Sequence, residues 1–159
     1  MTRLRALPAT TRRVEQHTRP EWNELNRLRT QASVSRLEDA DRAQIDARLA
    51  ELDREWDVER LLNANAGALI CASALLGRFV DRRALWLTTA VCTFFAQHAL
   101  SGWCPPIPVF RRVGVRTMRE IERERHAIKA LRGDFRAVPA AGAAEPSQRV
   151  KAALAAVDA

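Results

Sequence analysis

Two charge-free runs separated by six residues constrain this chain more than any other feature. Residues 61–77 (LLNANAGALICASALLG) contain no charged side chain, and residues 84–110 carry none apart from the titratable His98. Between them Arg78, Asp81, Arg82 and Arg83 cluster. A soluble domain rarely places two such stretches so close together. At about 1.5 Å of rise per residue, 17 helical residues reach roughly 26 Å, close to the hydrocarbon thickness of a thin bilayer. Arg78 can snorkel, which extends the first run through Phe79 and Val80. The pattern predicts an all-α protein: a transmembrane helical hairpin, with spans over 61–80 and 84–103, flanked by cytoplasmic amphipathic helices.

Aromatic and small residues fit that reading. Trp86 and Trp103 bracket the second run and Trp56 precedes the first, as interfacial anchors do. Ala64, Gly67, Ala68, Cys71 and Ala72 recur at three- and four-residue spacing. Such a face lets two helices approach closely in lipid and predicts helix packing.

The net charge of +7 divides unevenly: +4 over residues 1–20, −4 over 21–60, +2 over 61–103 and +5 over 104–159. Arginines flank both runs. Arg42, Arg48, Arg54 and Arg60 precede the first, while Arg111, Arg112, Arg116 and Arg119 follow the second, against three in the connecting loop. That bias predicts both termini in the cytoplasm. The basic groups are interleaved with acids and no nucleic-acid motif accompanies them, so the bilayer is the expected partner and nucleic acid is not.

Residues 102–117 read GWCPPIPVFRRVGVRT. With the hairpin before it, this stretch resembles the YgaP-like transmembrane domain family. Gly102, Cys104 and Pro105 stand at the end of the second run, and Gly114, Val115 and Thr117 follow in the order of the family's motif. The resemblance covers about residues 57–117. It implies a two-pass domain of the bacterial inner (plasma) membrane, found alone or fused to rhodanese-type sulfurtransferases, with no settled general activity. The chain has no rhodanese active-site loop.

Outside the hairpin, residues 1–17 are expected to be a disordered basic tail, and lacking an apolar core they are not expected to act as a secretory signal. Residues 18–60 are expected to be helical, opened by capping patterns at Thr18–Glu21 and Ser35–Glu38, with Ile45, Leu49, Leu52 and Trp56 forming one apolar stripe. A Cys-Pro loop is expected over 104–117. A third capping pattern, Thr117–Glu120, predicts an amphipathic helix over 118–133 that either lies on the membrane or packs on residues 38–58. The Ala-rich residues 134–159 are expected to be disordered.

No complete catalytic constellation is legible, so an enzyme is not expected, and no cofactor or metal is implied. Placing the hairpin turn near residue 81.5 sets Asn65 level with His98. Asn63, Asn65, Gln97 and His98 then gather at one end as a candidate polar vestibule. Cys104 sits beside it as a candidate redox thiol, with Arg111 and Arg112 near enough in sequence to favour its thiolate. Three functions follow as expectations: a membrane protein that self-associates or anchors a partner in a larger complex, a redox or sulfur-handling protein using Cys104, and solute passage through an oligomeric bundle lined by Asn63, Asn65 and Gln97.

Overall fold

The computed structural model describes residues 9–158, and all regular elements among them are helical. They run in order as α1 (Arg13–Gln16), α2 (Pro20–Ser35), α3 (Arg42–Arg54), α4 (Val58–Phe79), α5 (Ala84–Ser101), α6 (Ile107–Arg112), α7 (Met118–Arg132), a 3-10 turn (Asp134–Ala137) and α8 (Pro146–Asp158). The described chain divides into two compact units. Unit 1 takes residues through Leu28 together with Trp56–Ile121, and unit 2 takes Arg29–Glu55 with the residues from Glu122 onward.

Unit 1 is built on the α4–α5 hairpin. Asp57 opens α4, its side chain accepting from the Arg60 amide at 2.9 Å. The turn is closed by the Val80 and Asp81 amides, which donate to Leu76, and by the Asp81 carboxylate, which accepts from the Arg83 amide. Gly77 lies at a close approach, since a Cβ there would be 2.6 Å from the Leu85 side chain. α4 turns Leu62, Ala66, Ser73 and Gly77 inward. Ser73 meets Thr88 across the pair at 2.7 Å.

The hairpin closes on Ser73 and Gly77, one of the small-residue pairs, and leaves the rest of the small-residue face outside. Ala64, Gly67, Ala68, Cys71 and Ala72 are all exposed. The packed positions keep the helical period but lie on another side of the helix. Ser73 at the crossing has a hydroxyl partner, which the apolar neighbours could not supply.

α4 is the apolar part of the one described stretch, within Arg42–Phe79, that is long and apolar enough to cross a membrane. Only 22% of its best window is buried. α5 has 18 residues and no Asp, Glu, Lys or Arg, yet it does not reach the same hydropathy. Thr88, Thr89, Thr93, Gln97 and His98 lower it. The hairpin is thus observed as a fold, with one span candidate rather than two.

Three expected irregular segments are ordered. Residues 1–8 of the expected tail lie outside the described residues, but Arg13–Gln16 form α1 with Val14 buried. The expected loop over 104–117 contains α6, because Pro106 and Pro108 suit a first helical turn, where a missing N–H costs nothing. The expected disordered tail over 134–159 holds the 3-10 turn and α8, with Ala156 buried; Ala159 is outside the described residues.

The capping patterns fare unequally. Thr18 donates its hydroxyl to Val14 and closes α1 instead of capping α2, whose first residue is Pro20. Ser35 is the last residue of α2, and the cap that opens α3 is the Asp41–Gln44 box, closed by reciprocal bonds of 2.8 and 3.2 Å. Thr117–Glu120 forms as expected, the Thr117 amide donating to Glu120 at 2.8 Å. Ile45, Leu49 and Leu52 are buried on α3, while Trp56 lies beyond the helix end, exposed beneath the Arg60 guanidinium at 4.4 Å.

Unit 2 is joined by charge. The carboxylate of Glu124 on α7 is fully buried and accepts from Ser33 at 2.6 Å and from Arg48 at 3.0 and 2.9 Å. Arg132 reaches Asp46 on α3 at 2.5 Å, and Arg125 pairs with Asp53. Of the two placements open for the amphipathic helix, this part of it packs on residues 38–58.

Candidate functional site

The polar centre of unit 1 lies at the open end of the hairpin. His98, on the last turn of α5, is only 2% exposed. Its Nε2 lies 2.9 Å from Oε2 of Glu59, on the first turn of α4. The other oxygen of Glu59 accepts from Arg13 of α1 at 2.9 Å. The same guanidinium donates to the carbonyl of Ala99 at 3.1 Å, satisfying one of the open acceptors at the end of α5. Gly102 caps that helix at φ 80, where a Cβ would fall 2.5 Å from the Cβ of Arg13. A side chain at this position would both strain the backbone and push α1 away.

The expected vestibule does not assemble. His98 meets Glu59, six residues before the Asn65 expected beside it. An imidazole taken out of water goes to the strongest acceptor within reach, and a carboxylate outranks an amide. Asn65 turns its amide back to the carbonyl of Leu61 at 2.8 Å, and Asn63 and Gln97 are exposed. Only His98 of the four faces inward.

Cys104 is 5% exposed and packs in an apolar cluster with Val14, Val58, Leu62 and Ile107. Burial pushes its thiol up from the ordinary cysteine range, so the thiolate is disfavoured. Arg111, expected to favour that thiolate, is committed elsewhere. It is 1% exposed and grips Glu120 through two bonds of 2.5 and 2.7 Å, with further bonds to the Val115 carbonyl and to Asn23, both at 2.9 Å. Arg112 is exposed. Nothing in this packing activates Cys104 as a redox thiol.

The motif residues instead build a joint. Gly102 ends α5, Cys104 seats the turn, and Pro105 leads into α6. Gly114 turns the chain at φ 95. The Arg116 carbonyl receives the Val58 amide at 2.9 Å, tying the segment to the start of α4. Glu15 of α1 accepts from Arg119 at 3.0 Å and from Thr117 at 3.4 Å. The residues sequence reading missed are thus Arg13, Glu15 and Glu59. Glu59 carried a visible signal, being the last acid before the first charge-free run. Arg13 and Glu15 carried none, because a basic segment without an apolar stripe reads as a tail.

Trp86 is 77% exposed at the hairpin turn, whereas Trp103 packs edge-on against Phe94 with ring centres 6.3 Å apart. Cys71 and Cys92 are exposed. Among the described residues no group of three or more His, Cys, Asp or Glu is placed to hold a metal.

No protein-family model matches this chain, and no curated protein and no solved structure matches it either.

Proposed function

We propose that this is a two-pass protein of the bacterial inner membrane, with both termini cytoplasmic, that self-associates or anchors a partner in a membrane complex. The observation that carries this reading is the outer surface of the α4–α5 hairpin. Leu69, Leu75, Leu76, Phe79, Trp86 and Leu87 are all exposed there on two largely uncharged helices. A surface of this kind in water is a strong driver of association or membrane entry. The hydroxyls of α5 do not oppose insertion. Thr89 and Thr93 bond to carbonyls four residues back at 3.0 and 2.8 Å, and Thr88 bonds to Ser73. The resemblance of residues 102–117 to the YgaP-like domains points the same way.

The experiment is carbonate extraction of bacterial membranes containing the full chain. Retention in the pellet is expected. Release into the supernatant overturns the membrane reading together with its topology. The redox alternative loses its main support through the burial of Cys104 and the commitment of Arg111 to Glu120.

A further inference from the structure

The turn between α4 and α5 gathers side chains that neither bulk water nor a protein core suits together. Phe79 ends α4, Val80 follows it, and Trp86 lies in the first turn of α5. They are 74%, 78% and 77% exposed, more than any other large apolar side chain among the described residues. Arg78, Asp81, Arg82 and Arg83 share this stretch, and all four are exposed. None of the three guanidinium groups has an ion-pair partner among the described residues. Arg78 lies over the Phe79 ring, 5.3 Å from its centre, and the Asp81 carboxylate is taken up by the Arg83 amide at 2.9 Å. Three arginines against one aspartate leave the tip at +2, beside an exposed apolar surface.

The order of groups along the hairpin identifies what covers them. Below the tip, Leu75, Leu76 and Leu87 are exposed on helices that carry no charge over residues 61–77 and 84–97. Moving outward, the surface passes from leucines, through Phe79 and Trp86, to Arg82 and Arg83. A bilayer leaflet changes in the same order, from hydrocarbon, through the interface that Trp favours, to the phosphates. A second copy does not fit this surface, because two tips in contact would oppose two charges of +2. A guanidinium matches a phosphate through paired N–H bonds. A zwitterionic headgroup already balances its phosphate with its own cation, so an excess of +2 favours a lipid that carries net negative charge.

We propose that the hairpin tip is a binding surface for anionic phospholipid headgroups, with Arg82 and Arg83 on the phosphates and Phe79 and Trp86 in the interfacial layer. This rests on the membrane reading above and puts those headgroups in the leaflet opposite the termini.

Quenching of Trp86 by brominated lipid tests this, with the full chain in mixed vesicles of phosphatidylglycerol and phosphatidylcholine. Bromine is carried by one lipid at a time, and the Trp86 signal is the difference between the parent and Trp86→Phe. Phosphatidylglycerol is expected to be favoured about tenfold over phosphatidylcholine at this position. Arg82→Gln combined with Arg83→Gln should bring the ratio near parity. Both side chains are exposed and unpaired, so the hairpin does not need them to fold. About 1 M salt, where the screening length is about 3 Å, should lower the parent's ratio without any substitution. Quenching that simply follows the lipid mixture in the parent overturns the proposal, as does a preference unchanged in the variant or by salt. Absence of quenching by either lipid means that protein covers the tip, and overturns it as well. Carbonate extraction of the same vesicles distinguishes the two readings. A retained chain without the preference removes the lipid site alone, whereas a released chain removes the membrane reading and the site with it.

Discussion

Arg111 and Cys104 show how neighbours in sequence part company in the fold. The two are seven positions apart, close enough to suggest a cation stabilising a thiolate. The guanidinium, however, needs oxygen acceptors, and Glu120, the Val115 carbonyl and Asn23 supply four bonds to its two terminal nitrogens. The thiol needs none and fills apolar space beside Val58 and Ile107. A reactivity measurement distinguishes this arrangement from a redox site. In a protein carrying Cys71→Ala and Cys92→Ala, maleimide should alkylate Cys104 at least about tenfold more slowly at pH 7 in the folded chain than in the unfolded one. A folded-state rate above that of a free thiol would restore the redox reading.

At the scale of elements, legibility followed the period of the side chains. α3 showed its buried stripe of Ile45, Leu49 and Leu52, and α7 showed both its Thr117–Glu120 opening and its stop at Gly133. α1 and α6 are too short for a period to register, and α8 is so rich in alanine that its one buried contact, Ala156, leaves no contrast to read. The polar contacts were illegible for a different reason. Glu59 with His98 and Glu124 with Arg48 join residues 39 and 76 positions apart, and periodicity reports faces rather than partners. Unit 2 carries a pH signature of such a contact. The Arg132 guanidinium, bonded to Asp134 at 2.9 and 2.6 Å, holds that carboxyl below the usual carboxylate range. The unfolded chain therefore binds this proton at a higher pH than the folded chain does. The stability gained is fully present above about pH 4 and is lost as pH falls through the folded value. Asp134→Asn should lower the melting temperature at pH 6, and the difference from the parent should shrink at pH 3. An equal difference at both values would refute the coupling.

For the molecule as a whole, the sequence announced a hairpin without showing which side of α4 closes it. Small residues recur on more than one side of α4, and the hairpin closes on Ser73 and Gly77 while Gly67 and Ala72 stay outside. Many faces of a charge-free helix look alike in sequence, so composition marks the run without choosing the side. The unused face remains available for the self-association proposed above. Gly67→Leu and Ala72→Leu should each reduce the oligomer observed in detergent by about tenfold in association constant, by blocking close backbone approach. Light scattering with an unchanged oligomer mass in both variants would remove this face from consideration.

The alternation of the two units along the chain sets a schedule for synthesis. Arg48 and the buried Glu124 that it serves are separated by 76 residues. At about 5–20 residues per second, α3 leaves the ribosome roughly 4–15 s before that partner exists. Throughout that interval Arg48, Asp46 and Asp53 of α3 lack their α7 partners, while every residue of the α4–α5 hairpin is made. The two helices of the hairpin can therefore pair before α3 meets the partners of its ion pairs. Any factor that shields a nascent chain would have its longest opportunity at α3.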